Sequence, residues 1–317
     1  MFFESFKITG LAMVQAFLMG AVGYFLIKKE ILGQEGLSAL SRLIVGVTLP
    51  ALIFCQLLKD FRFNLYPNWW LFPILSITIT IFGLLLGGLF VRFIHGQYQK
   101  AQFLSLVTFQ NAGYLPLALI TAMFPKDKSE PMLIYLFLFL LGFNLIIWSL
   151  GVYILSFHEN KKFELSALFN PPVIAILLSL GIIFLGLNKF IPDVILKPLR
   201  LIGDCTIVLA MFVVGGSLAL IRLKQVDKKA MCCMVLAKLI IMPLLGFLII
   251  LRFKIPSLVG LLILMQLAVP SATSLSVITQ HYKKEDFLIS QGIFIGHIVS
   301  LVTLPLFLSL YLTLVVI

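Results

Sequence analysis

The chain has 317 residues, of which 61% are apolar and only 12% charged, roughly half the charged share of an ordinary soluble domain. That balance excludes a water-soluble domain. The formal charge of +11 does not point to nucleic acid either, because Lys and Arg fall in pairs between apolar runs instead of forming one basic block.

Apolar runs of about 20 residues recur down the chain, each long enough at 1.5 Å per residue to cross a hydrocarbon core of roughly 30 Å. Ten are predicted, at 6–28, 36–58, 68–92, 100–124, 131–156, 170–190, 196–222, 229–252, 257–280 and 286–314, giving an all-α membrane protein in a lipid bilayer. The first lacks a small-residue cleavage site and is too long for a signal-peptide core, so it reads as a retained span. Tyr66, Trp69 and Trp70 open the third, where aromatic side chains sit at the membrane interface and anchor rather than catalyse. Ten Lys and Arg lie on one side of these spans and thirteen on the other, among the latter Lys161, Lys162, Arg222, Lys224, Lys283 and Lys284. The positive-inside rule then places both termini outside the cytoplasm, as for a bacterial inner (plasma) membrane protein. Cys55, Cys205, Cys232 and Cys233 all fall within spans, and the last two point about 100° apart on a helix. Buried apolar thiols fit better than a disulfide framework or a zinc site.

An offset of 158 residues lays Val47-Thr48-Leu49-Pro50-Ala51-Leu52-Ile53-Phe54 on Cys205-Thr206-Ile207-Val208-Leu209-Ala210-Met211-Phe212. Two repeats are therefore expected, 1–158 and 159–317, with five spans each. Five is odd, so the second repeat enters the membrane with opposite orientation. Such inverted repeats are typical of secondary transporters, whose sites lie where interrupted helices meet near the midplane. Chance similarity between Leu-rich stretches is the alternative.

Span four reads Thr108-Phe109-Gln110-Asn111-Ala112-Gly113-Tyr114-Leu115-Pro116, with two amides, a glycine and a proline inside an apolar run. Pro116 removes a backbone donor and crowds the carbonyl four residues earlier, and Gly113 permits conformations other residues avoid, so the helix is expected to unwind here. In hydrocarbon, such a break is tolerated only where it is buried in protein or lines a wet cavity. Span nine reads Gln266-Leu267-Ala268-Val269-Pro270-Ser271-Ala272-Thr273-Ser274, again a proline followed by small hydroxyl residues. Two interrupted helices running in opposite directions bring half-helix N-termini toward one point, each with about half a positive charge and free amide donors, which suits a carboxylate. Two ordinary proline kinks packed on neighbours are the bland alternative.

Asn144 lies in span five, where a structural interhelical hydrogen bond is the favoured role. Asp204, the one acidic residue clearly inside a span, is a candidate for proton or sodium coupling, or it pairs with Lys238 or Arg200. Lys238 sits about nine residues inside span eight, around 13 Å by helix rise, too deep to reach back readily to water. It balances an anion, carries a proton, or caps carbonyls freed by Pro243. His297 in span ten, with Gln291, Ser300 and Thr303 on nearby turns, is a proton-relay candidate for which interhelical hydrogen bonding is the favoured explanation.

These motifs together resemble the auxin efflux carrier family of membrane transport proteins. The likeness covers nearly the whole chain: Leu49-Pro50-Ala51-Leu52-Ile53-Phe54, Asn111-Ala112-Gly113-Tyr114-Leu115-Pro116, Asn170-Pro171-Pro172-Val173-Ile174-Ala175, Gly215, Lys238 with Pro243, and Pro270-Ser271-Ala272-Thr273 with Tyr282. The resemblance implies a ten-helix fold with a scaffold of spans one, two, six and seven, and a moving transport domain of spans three to five and eight to ten. It also implies that spans four and nine cross at the substrate site, and that substrates carry a carboxylate, as indole acetate does in plants or malate- and malonate-like acids do in bacteria. Pro116 follows Asn111 by five residues, closer than in many relatives, which shifts the expected break and leaves the substrate unassigned.

The expected mechanism is alternating access to a small organic anion, with Gln110, Asn111, the amides around Gly113, and Pro116 on one side of the carboxylate. Pro270, Ser271 and Thr273 form the other side, and Thr48 and Thr206 face them from the scaffold. No cofactor is called for; coupling to protons, sodium or neither stays open, as does a homodimer. A passive channel would instead show polar residues along several helices. An intramembrane enzyme lacks its signature residues: His158-Glu159 has no second histidine four residues after the first, and Asp204 has no aspartate partner.

Overall fold

The computed structural model describes residues 2–156, 168–221, 226–281 and 287–315. Outside them lie His158-Glu159, the boundary expected at 158/159, Tyr282, and the loop residues Lys161, Lys162, Arg222, Lys224, Lys283 and Lys284. The described chain is almost wholly helical. Helix α1 (Phe2–Lys28) precedes α2 (Gln34–Leu43) and α3 (Leu49–Asp60), which a π-helical turn at Ile44–Thr48 joins into one rod, and α4 (Leu71–Phe90) follows. The fourth run divides into α5 (Gln97–Thr108) and α6 (Tyr114–Met123). The fifth is α7 (Lys126–Ile146), a π turn at Ile147–Gly151 and α8 (Val152–Ser156). Then come α9 (Pro171–Phe184), α10 (Asp193–Asp204), α11 (Thr206–Leu220), α12 (Lys228–Val235), a π turn at Leu236–Ile241, and α13 (Met242–Phe253). The ninth run divides into α14 (Ser257–Ala268) and α15 (Ser274–His281), and α16 (Phe287–Leu314) is last.

Seven helical rods among the described residues are long and apolar enough to cross a membrane, and they coincide with predicted runs one, two, three, five, seven, eight and ten. Runs four, six and nine hold shorter apolar helices, Tyr114–Met123, Pro171–Phe184 and Ser257–Ala268. Four and nine are short because each is interrupted. Run six starts on two prolines, with the Asn170 side chain accepting from the Val173 amide at 3.2 Å, an N-terminal cap that prolines cannot replace. It stops at Gly186, whose φ of 69° ends the helix. Asn170 also donates to Asn144 at 3.3 Å, and Asn144 donates to the Leu140 carbonyl at 2.8 Å, tying α9 to α7.

Two of the three π turns among the described residues have a local cause. Pro50 and Pro243 follow the turns at Ile44–Thr48 and Leu236–Ile241. Widening the turn lets the Leu49 amide reach back to the Ile44 carbonyl, so the helix continues past a residue that cannot donate.

Small residues face inward and large apolar ones outward, as expected where lipid rather than water surrounds the bundle. On α1, Ala12, Ala16, Gly20 and Gly23 are buried, whereas Leu11, Val14, Leu18, Val22 and Phe25 are exposed. This lets α1 and α11 meet backbone to backbone: a Cβ at Gly23 would fall on the Phe212 backbone, and one at Gly215 on that of Gly20. Around this pair, α3 packs on α9 and α10; elsewhere α4 packs on α5 and α7, α14 on α13, α7 and α16, and α16 on α5 and α12. The two groups meet where α1 lies on α6 and α16, α11 on α6, and α7 on α3 and α9. Phe61, Phe63, Tyr66, Trp69, Phe72 and Tyr135 stack at one end, holding the α3–α4 link against α7. Trp70 beside them is exposed.

The thiols correct an expectation. Cys205 and Cys232 are exposed and Cys55 and Cys233 half-buried, because an apolar thiol is as well placed against lipid as inside protein.

The close α1–α11 approach makes a sharp prediction. Gly215→Val forces two backbones apart, and overpacking of this kind costs about 1–3 kcal/mol. Melting of the detergent-solubilised variant is expected several degrees lower, while Gly88→Ala, where nothing lies within 4 Å, melts as the wild type does. Equal melting of both variants would refute the packing argument.

Candidate functional site

The chain leaves helical geometry between α5 and α6 and again between α14 and α15, and the two breaks cross. Gln110 and Ser271 form an isolated antiparallel bridge. The Asn111 amide donates to the Pro270 carbonyl at 2.8 Å, and the Ala272 amide donates to the Phe109 carbonyl at 3.0 Å. Side chains complete the exchange. In an unbroken helix the Leu106 carbonyl would accept from the Gln110 amide; here it accepts from the Ser271 hydroxyl at 2.6 Å. The Ala112 carbonyl, which the Pro116 ring would crowd in a helix, accepts from the Gln266 amide at 3.0 Å. Pro116 itself lies in the first turn of α6, where no intrahelical donor is required. Gly113 is the N-cap residue of α6 and offers no capping side chain, so the first-turn amides of α6 face the crossing.

Several side chains here are buried without a partner: both polar atoms of the Gln110 amide, the Ser105 and Thr108 hydroxyls, and Oε1 of Gln266. Buried amides and hydroxyls ordinarily find partners, so this group is left with unmet hydrogen-bonding capacity. Asn111, 4% exposed, points the other way: its Nδ2 lies 3.4 Å from Nε2 of His297. The His297 ring is held through Nδ1, 2.8 Å from the Ile293 carbonyl. Next to it, Gly296 lies against Pro270.

His297 lines a cavity of about 300 Å³ between α1, α6, α11 and α16, whose walls are otherwise apolar apart from Tyr24. Phe17, Gly20, Leu115, Met211 and Leu218 are among the lining residues. The cavity thus lies along the seam between the two helix groups, and Leu115 and His297 link its wall to the crossing.

Gln110, Asn111, Gly113, Pro116, Pro270 and Ser271 are gathered at the crossing, with Thr273 half-buried in the turn before α15. Ser271 is occupied in bonding the break rather than facing the cavity. Thr48 and Thr206 are buried with unpartnered hydroxyls. Thr48 ends the π turn packed on α9, α10 and α11, and neither threonine lines the cavity. Lys238 is fully buried in a π turn packed against α4, α5, α14 and α16. Its hydrogen-bond partner is the Met242 thioether, 3.5 Å from Nζ, and not a carbonyl freed by Pro243.

Asp204 must be corrected. It is exposed at the end of α10 and pairs with neither Lys238 nor Arg200 among the described residues. Its neighbour Gly203 packs against the backbone of Leu52, and one residue along a helix turns the side chain about 100°, so Asp204 faces outward. Sequence reasoning weighed His297 but not its pairing with Asn111, and it passed over Gln266, whose signal was an amide four residues before a proline.

A family model described as membrane transport protein matches the chain twice, at residues 10–164 and 155–308. Over 128 residues the chain is 28% identical to Protein PIN-LIKES 6 of Arabidopsis thaliana, covering 39% of this chain and 30% of the relative. Over 132 residues it is 25% identical to Protein PIN-LIKES 5 of the same plant, covering 40% and 33%. Each match therefore takes in about a third of the curated relative's length. With two family matches that between them span most of its length, the chain belongs to the membrane transport proteins of the auxin efflux carrier family.

Proposed function

We infer that this multi-pass membrane protein is a secondary transporter that carries a small organic anion bearing a carboxylate by alternating access. The observation that supports this most is the crossing of two helix breaks beside a seam cavity, with the Gln110 amide unpartnered and Asn111 in contact with His297 of the cavity wall. Helices α6 and α15 both begin at the crossing, and helix N-termini favour negative charge by about 0.3–1 kcal/mol each at exposed sites and more when partly buried. Lys238, buried without a carboxylate partner, supplies a compensating positive charge behind the same breaks.

Ten spans in two inverted five-helix repeats, 1–158 and 159–317, fit this reading. The family model matches twice, and packed pairs in one half have counterparts in the other: α1 on α11 with α9 on α3, α4 on α5 with α13 on α14, and α5 on α16 with α14 on α7. The group built around α1, α3, α9 and α11 acts as scaffold. The group around α4–α7 and α12–α16 slides against it, elevator-like, carrying the crossing from one face to the other. The excess of Lys and Arg on one side puts both termini on the non-cytoplasmic side of a plasma membrane. A channel is the weaker alternative, because the seam cavity is walled by apolar side chains rather than by a polar file.

Two variants test the reading in proteoliposomes. Asn111→Ala removes a donor aimed at the cavity; hydrogen bonds to charged groups are worth about 1.5–3 kcal/mol, so saturable carboxylate uptake is expected to fall about tenfold or more in a protein that still melts normally. Normal uptake by the Asn111→Ala, Pro270→Ala double variant would sink the crossover site. Lys238→Met replaces a buried, uncompensated charge by an apolar side chain of similar length, a change that is often neutral or stabilising. Melting is expected to hold or rise while uptake is lost; unchanged uptake would show that Lys238 serves packing alone.

A further inference from the structure

His297 is a buried titratable group for which the transport reading has no use, and its surroundings constrain it. The Ile293 carbonyl can only accept, so the ring carries its proton on Nδ1. In the neutral ring Nε2 is then an acceptor, and the Asn111 amide donates to it across 3.4 Å. The Asn111 backbone is held in place by its own amide, bonded to Pro270, while its side-chain amide is free to turn over.

Protonation reverses the polarity of this contact. A proton from solution adds to the Nε2 lone pair, and the imidazolium N–H then needs an acceptor, which Asn111 supplies only by turning its amide over to present Oδ1. A carboxylate meets both groups as they stand, one oxygen accepting from the imidazolium N–H and the other from the Asn111 NH₂. It also neutralises an imidazolium that would otherwise stand unpaired among apolar walls. Without the proton, the Nε2 lone pair faces the incoming carboxylate and repels it. Proton and anion therefore bind together, and each raises the affinity for the other by the same factor.

The neighbouring groups sharpen this coupling. Of the elements packed against α16 or around the cavity, α1 contributes Tyr24, α6 contributes Tyr114, and the π turn at Leu236–Ile241 contributes Lys238; α16 itself carries Tyr311, α11 and α14 carry no titratable side chain, and α15 carries His281, whose side chain lies outside the described residues. Glu4, Lys7 and Lys28 of α1, Tyr98 and Lys100 of α5, Lys228, Lys229, Cys232 and Cys233 of α12, and Arg252 of α13 lie on the same elements, and none of them lines the cavity. Lys238 sits on a turn packed against α16 and does not line the cavity either. With no Lys or Arg on the cavity wall, a second carboxylate on the ligand would remain uncompensated.

We propose that His297 is the proton-binding member of the anion site, and that the seam cavity takes up one proton with one carboxylate borne on an apolar body. The proposal rests on the transport reading above. It is tested by isothermal titration calorimetry of the detergent-solubilised protein with phenylacetate and with succinate, in two buffers of different ionisation enthalpy. The wild type is expected to take up close to one proton per phenylacetate at pH 7.5, to bind it about tenfold more tightly for each pH unit of acidification above the histidine's titration range, and to bind succinate much more weakly. His297→Gln, which keeps an amide near the Nε2 position, and His297→Asn, which keeps one near Nδ1, are expected to bind phenylacetate without proton uptake and without pH dependence.

Phenylacetate binding with no proton uptake by the wild type, or with equal uptake in both variants, overturns the proposal and leaves the carrier reading standing. Succinate bound as tightly as phenylacetate overturns the single-carboxylate site. No heat from either acid, in protein that melts cooperatively, overturns the carboxylate reading and the proposal with it.

Discussion

The structure depends on one exchange: the backbone groups freed by each helix break are satisfied by the other break. Leu106, Phe109 and Ala112 offer carbonyls to Ser271, Ala272 and Gln266, and Pro270 offers its carbonyl to Asn111. Unsatisfied backbone groups in a bilayer core cost several kcal/mol each, so neither break is stable alone, and stretches of chain more than 150 residues apart in sequence are locked in register. Shifting either half-helix moves all four bonds together. The crossing is consequently held as a unit, which suits the proposal that it moves as one body rather than being rebuilt on each side.

What the exchange leaves over has functional weight. The Gln110 amide, the Ser105 and Thr108 hydroxyls and Oε1 of Gln266 are enclosed without partners, and unmet buried groups cost about 1–3 kcal/mol each. A protein selected only for stability would replace them by apolar residues of similar volume, as the surrounding helices do at Phe103, Leu115 and Leu267. Lys238 sharpens the point: an amine buried against a thioether is retained at a place where an anion would favour its charged form.

Depth was legible in the sequence and direction was not. Ten apolar runs, and the interruptions in the fourth and ninth, follow from hydropathy and from amide, glycine and proline inside runs that should carry none. Periodicity in a membrane helix is weak, because lipid-facing and core-facing residues are both apolar, so a residue's azimuth cannot be read from its neighbours' polarity. Hence Asp204 was expected inside and faces out, Cys205 and Cys232 likewise, and Ser271 was assigned to the ligand although its hydroxyl closes the break. The Asn111–His297 contact joins residues 186 apart and follows only from the way α16 lies across Pro270. The π turns were also missed, since a proline in an apolar run announces a lost donor and not how the chain absorbs it.

The prolines show why pairing, and not composition, makes the site. Pro50 and Pro243 sit in apolar context as Pro116 and Pro270 do, yet their helices continue, because a widened turn upstream lets the Leu49 amide bond within its own strand of helix. At Pro116 and Pro270 the lost bonds are replaced from outside, by a second break running the opposite way. A lone break would have to heal by a π turn or admit water. Two facing breaks can stay open and dry, and in staying open they expose two helix N-termini and an unpartnered amide at one point. An inverted pair of proline-bearing spans is therefore the cheapest arrangement in which an apolar chain can hold a polar centre at mid-membrane, and mutation of either proline should be felt through the bonds of the other.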